Sequence, residues 1–128
     1  MTRRSIETET FVHQNPIPGA CRVGPLIESS IIGPADPADR SVPDTLEEQI
    51  ANLFVHMEHL LANAGATWDD MVKITFFVAD AAKSRPALNG PWVERFPDAA
   101  SRPARHNLEI PMAGKAQISC VFTAYVDR

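Results

Sequence analysis

Long apolar runs are missing from this 128-residue chain. None approaches the roughly 20 consecutive apolar residues that span a bilayer, so no transmembrane helix is expected. Cysteine is scarce. Cys21 and Cys120 lie far apart, with no Cys-x-x-Cys pair between them. A disulfide between them is formally open, but the expectation is two buried thiols in a cytoplasmic protein. An excess of basic charge is missing too. Twelve Lys and Arg stand against sixteen Asp and Glu, giving a net charge of −4. Such a balance does not draw nucleic acid to the molecule as a whole. There is no glycine-rich phosphate loop and no Gly-x-Ser-x-Gly elbow. Arg3 and Arg4 near the start are followed by no apolar stretch, so a secretory signal is not expected. No internal repeat or low-complexity tract interrupts the chain.

What is present is an ordinary globular balance, 45% apolar and 22% charged. The length suits one domain over residues 1–128. Six of the eleven prolines fall between residues 15 and 43, a composition that resists helix. Within it, Leu26–Ile32 reads as a short strand closed by Gly33-Pro34. An earlier strand is expected over about Glu7–His13, followed by a turn at Asn15–Gly19.

The clearest element is a helix from about Thr45 to Ala64. Leu46, Ile50, Leu53, Phe54, Met57, Leu60, Leu61 and Ala64 recur at three- and four-residue steps. Thr45-x-x-Glu48 offers a capping box, and Asp44-x-x-Glu47 a second register. Gly65 sits where a glycine would end the helix. Met71–Val78 reads as a strand, with Val72, Ile74, Phe76 and Val78 on one apolar face. Ser84–Phe96 reads as a second helix that Gly90-Pro91 should kink or interrupt. Strands over about Ala104–Ile110 and Ala116–Val126 complete the order ββαβαββ. In the last strand Ile118, Cys120, Phe122, Ala124 and Val126 share a face suited to helices. Its other face, with Val121 and Tyr125 among polar neighbours, is half apolar and calls for cover by another subunit.

Pro103 fixes the approach to the Ala104 strand, and Arg105 stands at its start. A guanidinium held on a strand end reads either as a surface arginine or as a bidentate clamp for a small carboxylate. Glu109 shares a strand face with Arg105, and either pairs with it or holds a water. His106 points the other way. His56-x-x-His59 lacks a third ligand for a metal and reads as a solvated helix face. No metal or cofactor is expected. Cys120, among apolar neighbours, reads as a buried thiol. Arg22, in the Cys21–Gly24 loop, is a further cation that could meet an anionic ligand. Trp68 and Trp92 read as core or interface anchors.

Several segments together resemble the RidA (YjgF) family of small trimeric proteins. They are Leu60-Leu61-Ala62-Asn63-Ala64-Gly65-Ala66, Trp68-Asp69-Asp70 with Met71–Val78, Leu88-Asn89-Gly90-Pro91-Trp92, and Arg102-Pro103-Ala104-Arg105. The resemblance implies a chorismate-mutase-like α+β fold, with two helices on one face of a sheet. It implies a homotrimer with ligand clefts between subunits. In active members a cleft arginine binds the carboxylate of a 2-imino or enamine acid, which is hydrolysed to the 2-keto acid and ammonia. Arg105 falls on that arginine. Ser29 and Asn89 fall on residues lining the same cleft, and Asn107 stands where many members carry a cysteine. Active members also carry an acid in the last strand, thought to hold the attacking water. Ser119 or Cys120 takes its place here, depending on a one-residue gap. The usual tyrosine near Pro18–Cys21 is absent as well.

Two functions follow. The first is a hydrolytic imine and enamine deaminase, with Arg105 binding the carboxylate and Ser119, Cys120 or Glu109 at the hydrolytic position. The second is a non-catalytic trimer that binds small carboxylates or reactive metabolites, because the strand acid is missing. Ribonuclease activity, ascribed to some relatives, fits poorly with the acidic balance. The expected partners are a small carboxylate and further copies of the chain, with no nucleic acid and no membrane.

Overall fold

The last strand of the chain, Ile118–Tyr125, lies in the interior of a six-stranded sheet. The computed structural model describes residues 2–128. In chain order the elements are β1 (Arg4–Ile6), β2 (Ala20–Val23), β3 (Leu26–Ser29), α1 (Leu46–Asn63), β4 (Met71–Val78), α2 (Ala81–Arg95), β5 (Ala104–Glu109) and β6 (Ile118–Tyr125). Across the sheet the strands run β1-β2-β3-β6-β4-β5. β6 pairs antiparallel with both β3 and β4, and β4 runs parallel to β5 through the α2 crossover. The fold is mixed α+β with two helices packed on the sheet, as expected.

The strands at the start of the chain differ from the sequence reading. No strand forms over Glu7–His13; the pairing is made by Arg4–Ile6 with Ala20–Val23 instead. One short strand is thereby added to the expected order. Alternation over residues 7–13 is weak, and Ile6 supplies the buried side chain. β3 ends at Ser29, and Ile32 makes only an isolated bridge to Cys120.

Helix α1 begins where Thr45 accepts a hydrogen bond from the Glu48 amide, so the later of the two capping registers is used. It ends in a Schellman turn. The Ala66 amide bonds to the Leu61 carbonyl and the Gly65 amide to Ala62, with Gly65 at φ +81, a conformation that favours glycine.

Helix α2 starts three residues earlier than expected and runs through both Pro86 and Pro91. Each proline removes one amide donor. The helix is held by burial of Leu88 and Trp92 and by two caps at its N-terminus. Asp80 accepts from the Lys83 amide and Glu109 from the Ala81 amide.

Beneath the helices, Ile74, Phe76 and Val78 of β4 line up with Ile118, Cys120, Phe122 and Ala124 of β6. Phe76 meets Phe54 of α1 and Trp92 of α2. Val72 does not join this row. A register shift between Met71 and Lys73 turns Val72 outward, 48% exposed, and buries Met71 in its place; that is the action of a β-bulge. Among the described residues no helix covers the opposite face of the sheet. That face presents the cross-strand pair Leu26 and Tyr125, with Leu108 farther along, all exposed. Among the described residues no helix is long and apolar enough to cross a membrane.

Candidate ligand-binding site

Arg105 is the second residue of β5, an edge strand. Its partner on β4 is Ile74, a core residue beneath the helices. That register aims the Arg105 side chain at α2, where two contacts fix it. Its guanidinium carbon lies 5.1 Å from the centre of the Trp92 ring. Its Nη2 donates to the Asn89 side-chain oxygen at 3.0 Å. The ring is itself held, edge-on to Phe76 and Phe96. Partial burial lowers the pKa of Arg105 from the usual arginine value, yet a guanidinium stays charged at any physiological pH. The remaining donors are left for a ligand.

Two residues farther along the same face is Asn107. Its Nδ2 is buried and has no hydrogen-bond partner among the described residues. Arg85 of α2 joins Arg105, His106, Asn107 and Leu108 in lining a cleft of about 370 Å³ at this edge. No acidic side chain is among those lining residues. The cleft is cationic, rich in donors and of a size that holds a small molecule.

The other expected site residues lie elsewhere in the chain. Glu109 shares the face of Arg105 but is four residues away, about 13 Å along a strand. Its carboxylate accepts the Ala81 amide at 2.9 Å, capping α2 rather than pairing with Arg105. Ser29 lies in the same cross-sheet row as Arg105, through Phe122 and Ile74. Three strand spacings put the two roughly 14 Å apart. The Ser29 hydroxyl accepts from the Phe122 amide at 2.8 Å. Ser29 also borders a separate cleft of about 350 Å³ that includes Lys73, Thr75 and Thr123. Ser119 lies on the helix-free face opposite Phe77. Cys120 is fully buried beneath the helices, and burial pushes its thiol pKa far up.

Arg22 does not approach this cleft. Three strands separate β2 from β5. Its Nη1 donates to the Ala64 carbonyl at 2.6 Å and its Nε to Gly24, while Arg4 donates to the Asn63 and Ala64 carbonyls. Helix α1 has no basic residue in its last turn. The two arginines supply the positive charge its C-terminus favours.

His56 is fully buried rather than solvated, and pairs through Nε2 with the Ala35 carbonyl at 2.6 Å. The residues 34–36 loop and Phe11 cover that side of α1. His106 alternates with Arg105 along β5 and is in register with Thr75, yet it borders the Arg105 cleft, which the sequence reading did not expect. A further cleft of about 330 Å³ lies beside Trp68, Arg95 and Arg102. There Arg102 is engaged with the Phe96 and Pro97 carbonyls, and Arg95 with Glu94 and the Phe54 ring.

Residues 14–124 match the family described as Endoribonuclease L-PSP. The chain belongs to the RidA (YjgF) family. It is 28% identical over 98 residues to Reactive Intermediate Deaminase A, chloroplastic, of Arabidopsis thaliana, covering 74% of this chain and 51% of that protein. The chain thus spans about half the length of this relative. It is also 28% identical over 101 residues to a RutC family protein of Aquifex aeolicus, covering 77% of this chain and 79% of the relative. In structure it is similar to the YjgF gene product of E. coli, with a TM-score of 0.85 at 24% identity over 98% of this chain and 99% of the other. This likeness shows the shared fold.

In this RidA-family chain Arg105 and Asn107 line one cleft, and Asn89 holds the Arg105 guanidinium. Ser29, Ser119, Cys120, Glu109 and Arg22 stay outside it. Two residues were missed by sequence reasoning: Arg85 of the cleft lining, and Trp92 as the platform for Arg105. The signal was in the spacing. Arg85, Asn89 and Trp92 follow at steps of four and three, one stripe of a helix.

Proposed function

We propose that this RidA-family chain binds small 2-imino and enamine carboxylic acids and hastens their hydrolysis to 2-keto acids and ammonia. The observation that carries the reading is the guanidinium of Arg105, set between the Trp92 ring and Asn89 at the edge of a cationic cleft. The deaminase name of the Arabidopsis relative supports it. In the reaction, an enamine first tautomerises to the imine. Water adds to the C2 carbon of the C=N group, a proton passes to nitrogen, and ammonia leaves as the keto oxygen forms. A carboxylate clamped at Arg105 holds C2 in place while this occurs.

The site is proposed to be completed in a homotrimer. Ser29 and Arg105 are too far apart in one chain to share a small ligand, so a common cleft takes Ser29 from a second copy. The helix-free face, with Leu26, Leu108 and Tyr125 exposed, supports such cover. Of the two last-strand positions, Ser119 is the one on the face a second copy can reach; Cys120 lies in the core. Ser119 is therefore our candidate for orienting the attacking water.

A second reading is a trimer that binds carboxylates without turnover. It is favoured by one observation: no carboxylate lines the Arg105 cleft. Ammonia release from 2-iminopropionate, against buffer alone, separates the two readings. Light scattering on the eluting protein tests the trimer; three times the chain mass supports it, and a monomer at micromolar concentration contradicts it.

A further inference from the structure

The cleft holds two arginines, and the chemistry above uses only one. Arg85 is exposed and makes no salt bridge among the described residues. It is rooted on α2 four residues, about 6 Å of axis, before Asn89. Asn89 is the residue that receives Arg105. Both arginines therefore border one cleft, which Asn107 with its unpartnered amide also lines. No acidic side chain among the lining residues neutralises either one. Two like charges facing one cavity repel each other, and a ligand with two negative groups relieves that repulsion.

We infer that Arg85 is a specificity-determining residue, and that the cleft prefers acids carrying a second carboxylate. The α-carboxylate sits on Arg105. The distal carboxylate of a four- or five-carbon acid reaches Arg85. This deepens the reading given under Proposed function and rests on it. A guanidinium suits this task because it offers a planar fork to each carboxylate. Asn107 adds a donor that a ligand oxygen satisfies.

The test compares 2-oxoglutarate with 2-oxopentanoate, which share a five-carbon chain and differ in the terminal carboxylate. Calorimetry on the wild type should show 2-oxoglutarate binding about tenfold more tightly, the step that ~1.4 kcal/mol represents. Arg85→Gln should bring that ratio to about one by weakening 2-oxoglutarate, and Arg85→Lys should restore part of it. Arg85 is exposed and unpaired, so these substitutions leave the fold intact. Equal affinity for the two acids in the wild type, or a preference that survives Arg85→Gln, overturns the inference while leaving the carboxylate clamp standing. No binding of either acid, or binding indifferent to Arg105→Ala, overturns the clamp itself and this inference with it.

Discussion

Arg105 carries its guanidinium 5.1 Å from the centre of the Trp92 ring, so a core aromatic of α2 also orients a charge at the sheet edge. The ring face attracts the cation and restricts its rotamers. Trp92→Leu removes the face and should weaken binding of 2-oxobutyrate about two- to fivefold, the equivalent of ~0.5–1 kcal/mol. Trp92→Phe keeps a ring face and should lose less. Both variants also lose core contacts with Phe76 and Phe96, so urea unfolding run alongside separates the stability loss from the binding loss.

Removal of the guanidinium should cost more. A charge-assisted pair in a partly desolvated site contributes about 1.5–3 kcal/mol. Arg105→Ala should therefore weaken 2-oxobutyrate roughly ten- to a hundredfold by calorimetry. Arg105→Lys should recover only part, since an ammonium is a point charge without the fork. Unchanged affinity in Arg105→Ala places the ligand elsewhere.

Ser119 and Cys120 should respond oppositely to a new carboxylate. Ser119 faces the helix-free side, and Ser119→Glu should raise the rate of imine hydrolysis in the assembled protein. A general base is worth ~10²–10⁴-fold, which bounds the gain. Cys120 is fully buried. Cys120→Glu places an unpaired charge in the core and should leave little folded protein by circular dichroism. A folded, faster Cys120→Glu enzyme reverses the assignment.

His56 sets a pH dependence of stability. Burial lowers its pKa below the usual 6.5, opposed by its bond to Ala35 and the charge of Asp36, and assisted by His59. The unfolded chain therefore binds more protons than the folded one between the lowered value and about 6.5. Stability should fall as pH drops through that window and level off above it. Urea midpoints at pH 5 and 7.5 check this, and His56→Gln should flatten the slope. An equal slope in the variant assigns it to another group.

The fold was legible wherever periodicity and capping agreed. The eight apolar positions from Leu46 to Ala64, Thr45 and Gly65 each point to the same helix, and alternation in β6 placed Cys120 in the core. Val72 was misread because a bulge shifts the face of one residue without any mark in the alternation. Gly90-Pro91 obscured α2, because the capping by Asp80 and Glu109 that supports it comes partly from a distant strand. His56 was read as solvated because the loop covering it is contributed by residues some twenty positions earlier. In the candidate site, the place of Arg105 at a strand start was legible from Pro103, and its assignment to a ligand came from the family resemblance. Its partners on α2 were only half so: Asn89 came from the family resemblance, whereas Arg85 and the role of Trp92 needed the packing of helix against sheet. The separation of Ser29 from Arg105 is a matter of strand order, which chain order does not reveal.

The proposed activity is capture of an imino acid by its carboxylate in the Arg105 cleft, followed by hastened hydrolysis. Ammonia release from freshly generated 2-iminopropionate tests it most directly, measured with wild type, Arg105→Ala and buffer alone. Release should be faster than buffer with the wild type and return toward the buffer rate in Arg105→Ala. Wild-type release at the buffer rate, or acceleration that survives Arg105→Ala, contradicts the proposed activity.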